Sequence, residues 1–265
     1  MTTFRAALCL VLSLALISLP ASAQQRSPRP APPSEQRAQA GSVLALLPGD
    51  SVTDHTIAVR GKTITYTATA GTLNLFDQSG ERIAAVFYTS YVKKDASLEQ
   101  RPVTFVFNGG PGAASAYLHL GLAGPRIVEF GPDGRDGAQA RLRDNPDTWL
   151  AFTDLVMVDP IGTGWSRTAK ADDGGFYGVK QDAQVLAKTV ALYVARHGRA
   201  ASPKYLLGES YGGFRAVKVA RSLQEEQGLV VSGILMVSPL IEGGLHFGPA
   251  DRFALGCALQ LPSIA

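Results

Sequence analysis

A stretch of ten residues, 204–213, carries the strongest structural signal in this chain and has the sequence KYLLGESYGG. A short apolar segment runs into the pattern Gly-x-Ser-x-Gly, and apolar residues at helical spacing follow. A strand, a tight turn and a helix in this order form a nucleophile elbow, with a serine at the tip of the strained turn. The bare pattern also occurs in glycine-rich turns with an incidental serine. The flanking strand and helix favour the elbow, so Ser210 is the candidate nucleophile.

The residues around Ser210 fit the geometry that an elbow needs. Gly208 and Gly212 lack a Cβ atom, so the strand and the helix can approach each other closely. The backbone N–H of Tyr211 lies at the N-terminus of the predicted helix, where N–H groups have no intrahelical partner. It is therefore a candidate donor to the oxyanion of a tetrahedral intermediate.

A second glycine-rich loop follows an earlier apolar run. Residues 103–107 lead into Asn108-Gly109-Gly110-Pro111-Gly112. In hydrolases with an elbow of this kind, the second oxyanion donor comes from a loop after an early strand. Gly110 is the natural donor, because its backbone can approach a substrate closely. A phosphate-binding loop is the alternative, but neither a Gly-Lys-Ser/Thr ending nor Gly-x-Gly-x-x-Gly occurs here.

The pattern along the rest of the chain predicts an α/β fold. Short continuous apolar runs are typical of parallel strands buried on both faces. They occur at residues 103–107, 155–158, 205–207 and 234–237. Helical spacing of apolar residues lies between them, at 179–194 and 216–223.

Upstream of residue 102 the pattern changes to strict alternation. Residues 63–69 and 83–89 predict antiparallel strands joined by turns at Gly61 and Gly80. We therefore expect a mostly parallel central sheet with helices on both faces and an N-terminal antiparallel β portion.

The first fifty residues predict export rather than a folded domain. Residues 1–23 have the form of a cleavable signal peptide, with a positive start, an apolar run at 6–19 and a small-x-small site at 21–23. The run is shorter than the roughly 20 residues that span a bilayer, so we expect no membrane association after cleavage. We predict a Pro-rich flexible linker at 24–50, the hydrolase domain at 51–265, and a periplasmic or secreted location.

Composition argues against several classes of protein. The net charge of +3, from 25 basic and 22 acidic residues, is spread thinly, so we expect no nucleic-acid partner. Signal cleavage removes Cys9 and leaves Cys257, for which burial is favoured over pairing with a downstream cysteine. No ligand pattern surrounds this cysteine, and we expect neither a metal nor a cofactor. The oligomeric state is not indicated by the sequence.

Four motifs, in this order, resemble those of the serine carboxypeptidase family. They are NGGPG at 108–112, NPDTW at 145–149, DPIGTGWS at 159–166 and GESYGG at 208–213. The resemblance extends from about residue 82 to the end. It implies an α/β-hydrolase fold and removal of the C-terminal residue from peptide substrates by acyl-enzyme chemistry. Within the third motif, Trp165 is either a pocket wall or ordinary packing, and we expect packing.

The resemblance implies a role for each matching residue. Ser210 is the nucleophile, and the N–H groups of Gly110 and Tyr211 form the oxyanion hole. Asn108 and Gly109 bind the terminal carboxylate of the substrate.

Glu209 resembles the acid beside the nucleophile, which in its protonated form donates a hydrogen bond to the substrate carboxylate. In eukaryotic members a second glutamic acid after the NGGPG loop supports it. The same interval in this chain ends at Leu122, and no carboxyl lies between Gly112 and Pro125. This departure leaves open an esterase or acyltransferase on the same fold.

The general base and its orienting acid are not evident after Ser210. In this fold the triad order is Ser, Asp/Glu, His, and His246 is the only histidine downstream. It lies four residues after Glu242, too close to the elbow, so we expect a loop histidine. We expect His119, after the NGGPG loop, at the surface or in packing. The domain is therefore expected to be truncated at its C-terminus, and an inactive fragment stays an alternative.

Overall fold

The computed structural model describes residues 42–131, 134, 137–170 and 174–243, which are built around one mixed β-sheet. The described strands are β1 (Ser51–Val59), β2 (Lys62–Phe76), β3 (Arg82–Lys93), β4 (Val103–Phe107), β5 (Arg126–Glu129), β6 (Arg141–Asp144), β7 (Asp154–Val158), β8 (Arg167–Thr168), β9 (Lys204–Glu209) and β10 (Gly233–Val237). The described α-helices are α1 (Ala116–Leu118), α2 (Val179–Arg196) and α3 (Tyr211–Gln227).

The main sheet has the strand order β1-β2-β3-β7-β4-β9-β10, and β8 pairs with β3. β1, β2 and β3 are antiparallel, and β3 joins β7 in antiparallel register. β7, β4, β9 and β10 are parallel to one another. The predicted N-terminal antiparallel portion and the four predicted parallel strands are therefore both confirmed. Gly61 and Gly80 lie in the turns between the antiparallel strands, with positive φ.

Apolar residues cover both faces of the central parallel strands β4, β7 and β9. β4 and β7 are buried along their whole length, which explains their continuous apolar runs. The two long helices pack on one face through Leu186 and Val190 of α2 and Val219 of α3. The opposite face is covered by Leu118 of α1 and Leu150 of the 3-10 turn Trp149–Ala151, together with residues of β1 and β2. Because β4, β7 and β9 are parallel neighbours, their carboxyl ends meet at one edge of the sheet.

A buried ion cluster holds the amino-terminal ends of these strands. Asp154 begins β7 and accepts from Nε of Arg101 at 2.6 Å and from Nη1 of Arg199 at 2.7 Å. The backbone N–H of Lys93 adds a third bond at 3.0 Å. Asp154 is fully buried, and a buried charge is tolerated only with such partners. The cluster thus joins the segment before β4 and the turn after α2 to the start of β7.

Between β4 and β7 in the sequence, β5 and β6 form a separate hairpin. The hydrophobic pattern of the sequence does not predict it. Its strands, RIVE and RLRD, are only four residues long and contain three apolar residues between them, too few to show a hydrophobic period. Ion pairs between Arg126 and Asp144 and between Arg143 and Glu129 link the two strands.

The described part begins inside the segment that was predicted as a linker. The Ser42 side chain accepts from the N–H of Leu44 and caps the 3-10 turn Val43–Leu46, and Leu44 is buried. The last residues of the predicted linker, 24–50, therefore pack on the domain. The predicted signal peptide and Cys257 lie outside the described residues. Within the described ranges, no helix combines the length and the apolar character that a membrane span requires.

Candidate active site

The predicted elbow is present between β9 and α3. Ser210 has φ 56° and ψ −122°, and a positive φ is unusual for a residue with a side chain. Its N–H donates to the carbonyl of Val237 at 2.9 Å, and its own carbonyl accepts from the N–H groups of Gly213 and Leu240 at 3.0 Å. Surrounding structure of this kind is what keeps a strained residue in place at a functional site.

Glycines allow the elbow to be this tight. A Cβ atom on Gly208 would overlap the backbone of Gly212, and a Cβ atom on Gly212 would overlap the carbonyl oxygen of Phe107. A Cβ atom on Gly213 would lie 2.7 Å from Cβ of Pro239. The sequence expectation for Gly208 and Gly212 is therefore confirmed.

The NGGPG loop lies against the elbow. β4 and β9 are parallel neighbours with Phe107 opposite Gly208, so the two loops leave the sheet side by side. A Cβ atom on Gly109 would lie 2.8 Å from the backbone nitrogen of Tyr211 and 2.9 Å from Cβ of Ser210. Gly110 is exposed and has φ 107°, which favours glycine. The structure thus brings this loop and the predicted nucleophile into contact.

Asn108 joins the same group of residues through its side chain. It is fully buried; its Oδ1 accepts from the N–H of Leu118 at 3.0 Å, and its Nδ2 donates to Oε2 of Glu209 at 3.2 Å. The amide therefore connects Glu209 to the turn after the NGGPG loop. Leu122, in the π turn His119–Ala123, is 37% exposed and offers no carboxyl there.

A buried arginine behind the loop was missed by the sequence reasoning. Arg215 of α3 is 3% exposed; its Nε donates to Oδ2 of Asp182 at 2.7 Å and its Nη1 to the carbonyl oxygen of Asn108 at 2.7 Å. Its guanidinium also lies 4.9 Å from the ring centroid of Tyr211. The sequence signal was a charged residue on the core-facing side of a helix, three residues after Gly212 and four before Val219.

The DPIGTGWS loop after β7 is tied to the loop after β4. Asp159 Oδ1 accepts from the N–H of Ser115 at 2.9 Å, and burial raises the pKa of this carboxyl. The hydroxyl of Ser115 lies 2.5 Å from the carbonyl oxygen of Val158 and 3.1 Å from that of Val106, so it bridges the ends of β7 and β4. The packing expectation for Trp165 is wrong, because its side chain, within this loop, is 56% exposed.

Each of the three histidines within the described residues has a hydrogen-bond partner away from the elbow. Nε2 of His119 lies 2.5 Å from the hydroxyl of Tyr91, and burial lowers the pKa of His119 to about 4. The packing expectation for His119 is therefore confirmed.

The other two histidines lie on β1 and after α2. His55 bonds the Thr53 hydroxyl at 2.8 Å, and His197 lies 3.4 Å from the Tyr88 hydroxyl. His246 lies outside the described residues. Among those that are described, no cluster of three His, Cys, Asp or Glu side chains is placed to hold a metal ion.

The sheet order, the elbow and the adjoining glycine-rich loop define an α/β hydrolase. A family model described as Serine carboxypeptidase matches residues 63–238, more than half of the chain. This chain belongs to the serine carboxypeptidase family.

Curated plant relatives and a solved yeast structure are similar to this chain. In Arabidopsis thaliana, serine carboxypeptidase-like 44 is 33% identical over 90 residues, which is 34% of this chain and 17% of that protein. Serine carboxypeptidase-like 42 is 29% identical over 141 residues, 52% of this chain and 28% of that protein. The chain thus spans less than a third of the length of these relatives.

The solved structure is Kex1(delta)p, a prohormone-processing carboxypeptidase from Saccharomyces cerevisiae. It superposes with a TM-score of 0.54 at 22% identity, covering 73% of this chain and 43% of the yeast chain. At this identity the likeness supports the fold alone.

Proposed function

We propose that the protein is an exported serine carboxypeptidase that removes C-terminal residues from peptides through an acyl-enzyme on Ser210. The observation that carries the proposal is the contact between the two motif loops. Gly109 packs against the backbone of Glu209 and Tyr211 and against Cβ of Ser210, and the side-chain amide of Asn108 donates to Glu209. A nucleophile, backbone donors and polar groups for a carboxylate are thereby assembled within a few residues of one another.

In the proposed reaction Ser210 Oγ attacks the carbonyl carbon of the last peptide bond, and its proton passes to a general base. The N–H groups of Gly110 and Tyr211 stabilise the oxyanion of the tetrahedral intermediate. The C–N bond then breaks, the leaving amine takes the proton from the base, and water later releases the acyl group from Ser210. Because the described histidines are paired elsewhere, we assign the base and its orienting acid to residues outside those described.

Recognition of the substrate's C-terminus is assigned to the groups beside the nucleophile. The NH2 group of Asn108 carries two hydrogens, of which one is directed to Glu209. The backbone of Gly109 and the side chains of Asn108 and Glu209 would receive the terminal carboxylate. The export part of the proposal is supported by the form of residues 1–23. N-terminal sequencing of the mature protein, with Gln24 expected as its first residue, tests it.

An esterase or acyltransferase is the second candidate function. The partner of Glu209 is the amide of Asn108 rather than a second carboxyl, and the position expected for that acid holds Leu122. An enzyme that has no need to bind a substrate carboxylate has no need of an acid pair.

The test compares one N-blocked dipeptide with a free C-terminus, its C-terminal amide and a nitrophenyl ester. We expect release of the last residue from the free acid, and loss of all turnover in Ser210→Ala. Asn108→Ala should lower kcat/KM for the free acid by about 10- to 100-fold, the effect of losing a hydrogen bond to a charged group. Ester turnover by the same variant should change far less, which makes the ester the internal control.

Two outcomes would contradict the peptidase. Ester cleavage without release from the free-acid dipeptide would support the esterase. Failure of a fluorophosphonate to label Ser210 in the intact protein would support an inactive relative.

A further inference from the structure

We propose that Arg215 is a positioning residue that holds both backbone donors of the oxyanion hole in place. The inference rests on the proposed function only in its assignment of Gly110 and Tyr211 as those donors. Arg215 lies outside both motifs, NGGPG at 108–112 and GESYGG at 208–213, that contain the proposed catalytic groups. It lies behind them, buried between α2, α3 and the loop after β4.

The first contact of Arg215 fixes the NGGPG loop. Its Nη1 donates to the carbonyl oxygen of Asn108 at 2.7 Å. That carbonyl belongs to the peptide bond between Asn108 and Gly109, one residue before the N–H of Gly110. Because glycines allow many backbone conformations, a loop with this sequence depends on outside contacts to keep one of them. The guanidinium supplies such a contact at the point where the loop leaves β4.

The second contact of Arg215 concerns Tyr211. Arg215 lies one helical turn after Tyr211 on α3, and its guanidinium carbon is 4.9 Å from the centroid of the tyrosine ring. Packing of the cation on the ring face restrains Tyr211 at the first position of the helix. One side chain therefore touches the residue that carries one donor and the loop that carries the other.

Asp182 fixes the orientation of the guanidinium. Its Oδ2 accepts from Nε of Arg215 at 2.7 Å, and its side chain is 15% exposed, in the first turn of α2. The pair neutralises the buried charge, so the contribution of Arg215 is geometric rather than a net positive field at the site. The planar fork of arginine makes both bonds at once, whereas the single ammonium group of a lysine does not reproduce this arrangement.

The test compares Arg215→Met and Arg215→Lys with a control on the same helix, Arg221→Met. Arg221 is 73% exposed and pairs with Glu225 at 2.9 Å, so its loss removes a surface ion pair. In Arg215→Met we expect amide hydrogen exchange at Ala113, whose N–H donates to the carbonyl of Gly109 at 3.3 Å, to become at least about 10-fold faster. For a nitrophenyl ester we expect kcat to fall about 100-fold, the cost of one lost oxyanion donor, with KM within about threefold.

Arg215→Lys should restore part of kcat, and Arg221→Met should match the wild type in both measurements. If Arg215→Met unfolds, Asp182→Asn replaces it, with the same direction and smaller changes expected. The proposal is overturned if a folded Arg215→Met, or Asp182→Asn in its place, keeps wild-type exchange at Ala113 and wild-type ester kcat.

The ester separates this proposal from the proposed function. A protein that cleaves esters and not peptides refutes the carboxypeptidase, and its ester kcat still reports on Arg215. If the wild type cleaves neither substrate, the hydrogen-exchange comparison alone decides whether Arg215 holds the loop.

Discussion

Replacing His119 with glutamine should reduce the loss of stability between pH 7 and pH 4. Burial lowers the pKa of His119 to about 4, against 6.5 for an ordinary histidine. At about 1.4 kcal/mol per pH unit, this difference corresponds to about 3 kcal/mol. Between pH 6.5 and pH 4, His119 is protonated in the unfolded chain and neutral in the folded chain. The stability present above pH 6.5 is therefore lost as the pH falls towards 4.

The assay is urea unfolding of the wild type and His119→Gln at pH 7 and pH 4. Glutamine does not titrate and can still bond the hydroxyl of Tyr91, which lies 2.5 Å from Nε2 of His119. We expect the wild type to lose about 3 kcal/mol more than the variant between the two pH values. Leu122→Gln, on the same turn, is the matched control and should lose as much as the wild type. Equal losses in the wild type and His119→Gln would refute the reasoning.

Two further substitutions, each with a control, test the buried ion cluster at the start of β7 and the contact between the NGGPG loop and the elbow. Asp154→Asn should lower the free energy of unfolding by about 3–5 kcal/mol in urea titrations, because it leaves two buried guanidinium groups without a counter-ion. Asp147→Asn is the control, because it breaks only the exposed ion pair with Arg60, and it should change the free energy of unfolding by less than about 1 kcal/mol. Equal losses of stability in Asp154→Asn and Asp147→Asn would contradict the prediction. Gly109→Ala should lower ester kcat/KM by about 100-fold, because the added Cβ meets the elbow backbone. Gly121→Ala, where a Cβ atom meets nothing within 4 Å, is its control, and wild-type kinetics in Gly109→Ala would argue against the contact.

The elbow and the parallel strands could be predicted because their signals are local. Residues 204–213 contain the strand, the turn and the helix start in sequence, and the glycines that permit the turn stand two residues on either side of Ser210. The fully buried strands β4 and β7 show themselves as unbroken apolar runs. In each case the residues that determine the structure are neighbours in the chain.

The network around Arg215 could not be predicted in the same way. Its partners Asp182 and Asn108 lie 33 and 107 residues away in the sequence, so only the folded sheet brings them together. The hairpin of β5 and β6 was missed for a different reason. Its strands are held by their pairing and by ion pairs rather than by burial, and hydrophobic periodicity carries no information about such strands.

The bonds of Asn108 bear on the carboxylate recognition proposed above, because the position of the second acid holds Leu122. Because Oδ1 of Asn108 accepts from the N–H of Leu118, its NH2 group is directed to Oε2 of Glu209. Oε2 is thereby engaged as an acceptor, which leaves Oε1 as the oxygen of this side chain that can contact a substrate. We infer that the buried amide orients Glu209 here, a task that the second carboxyl performs in the eukaryotic members.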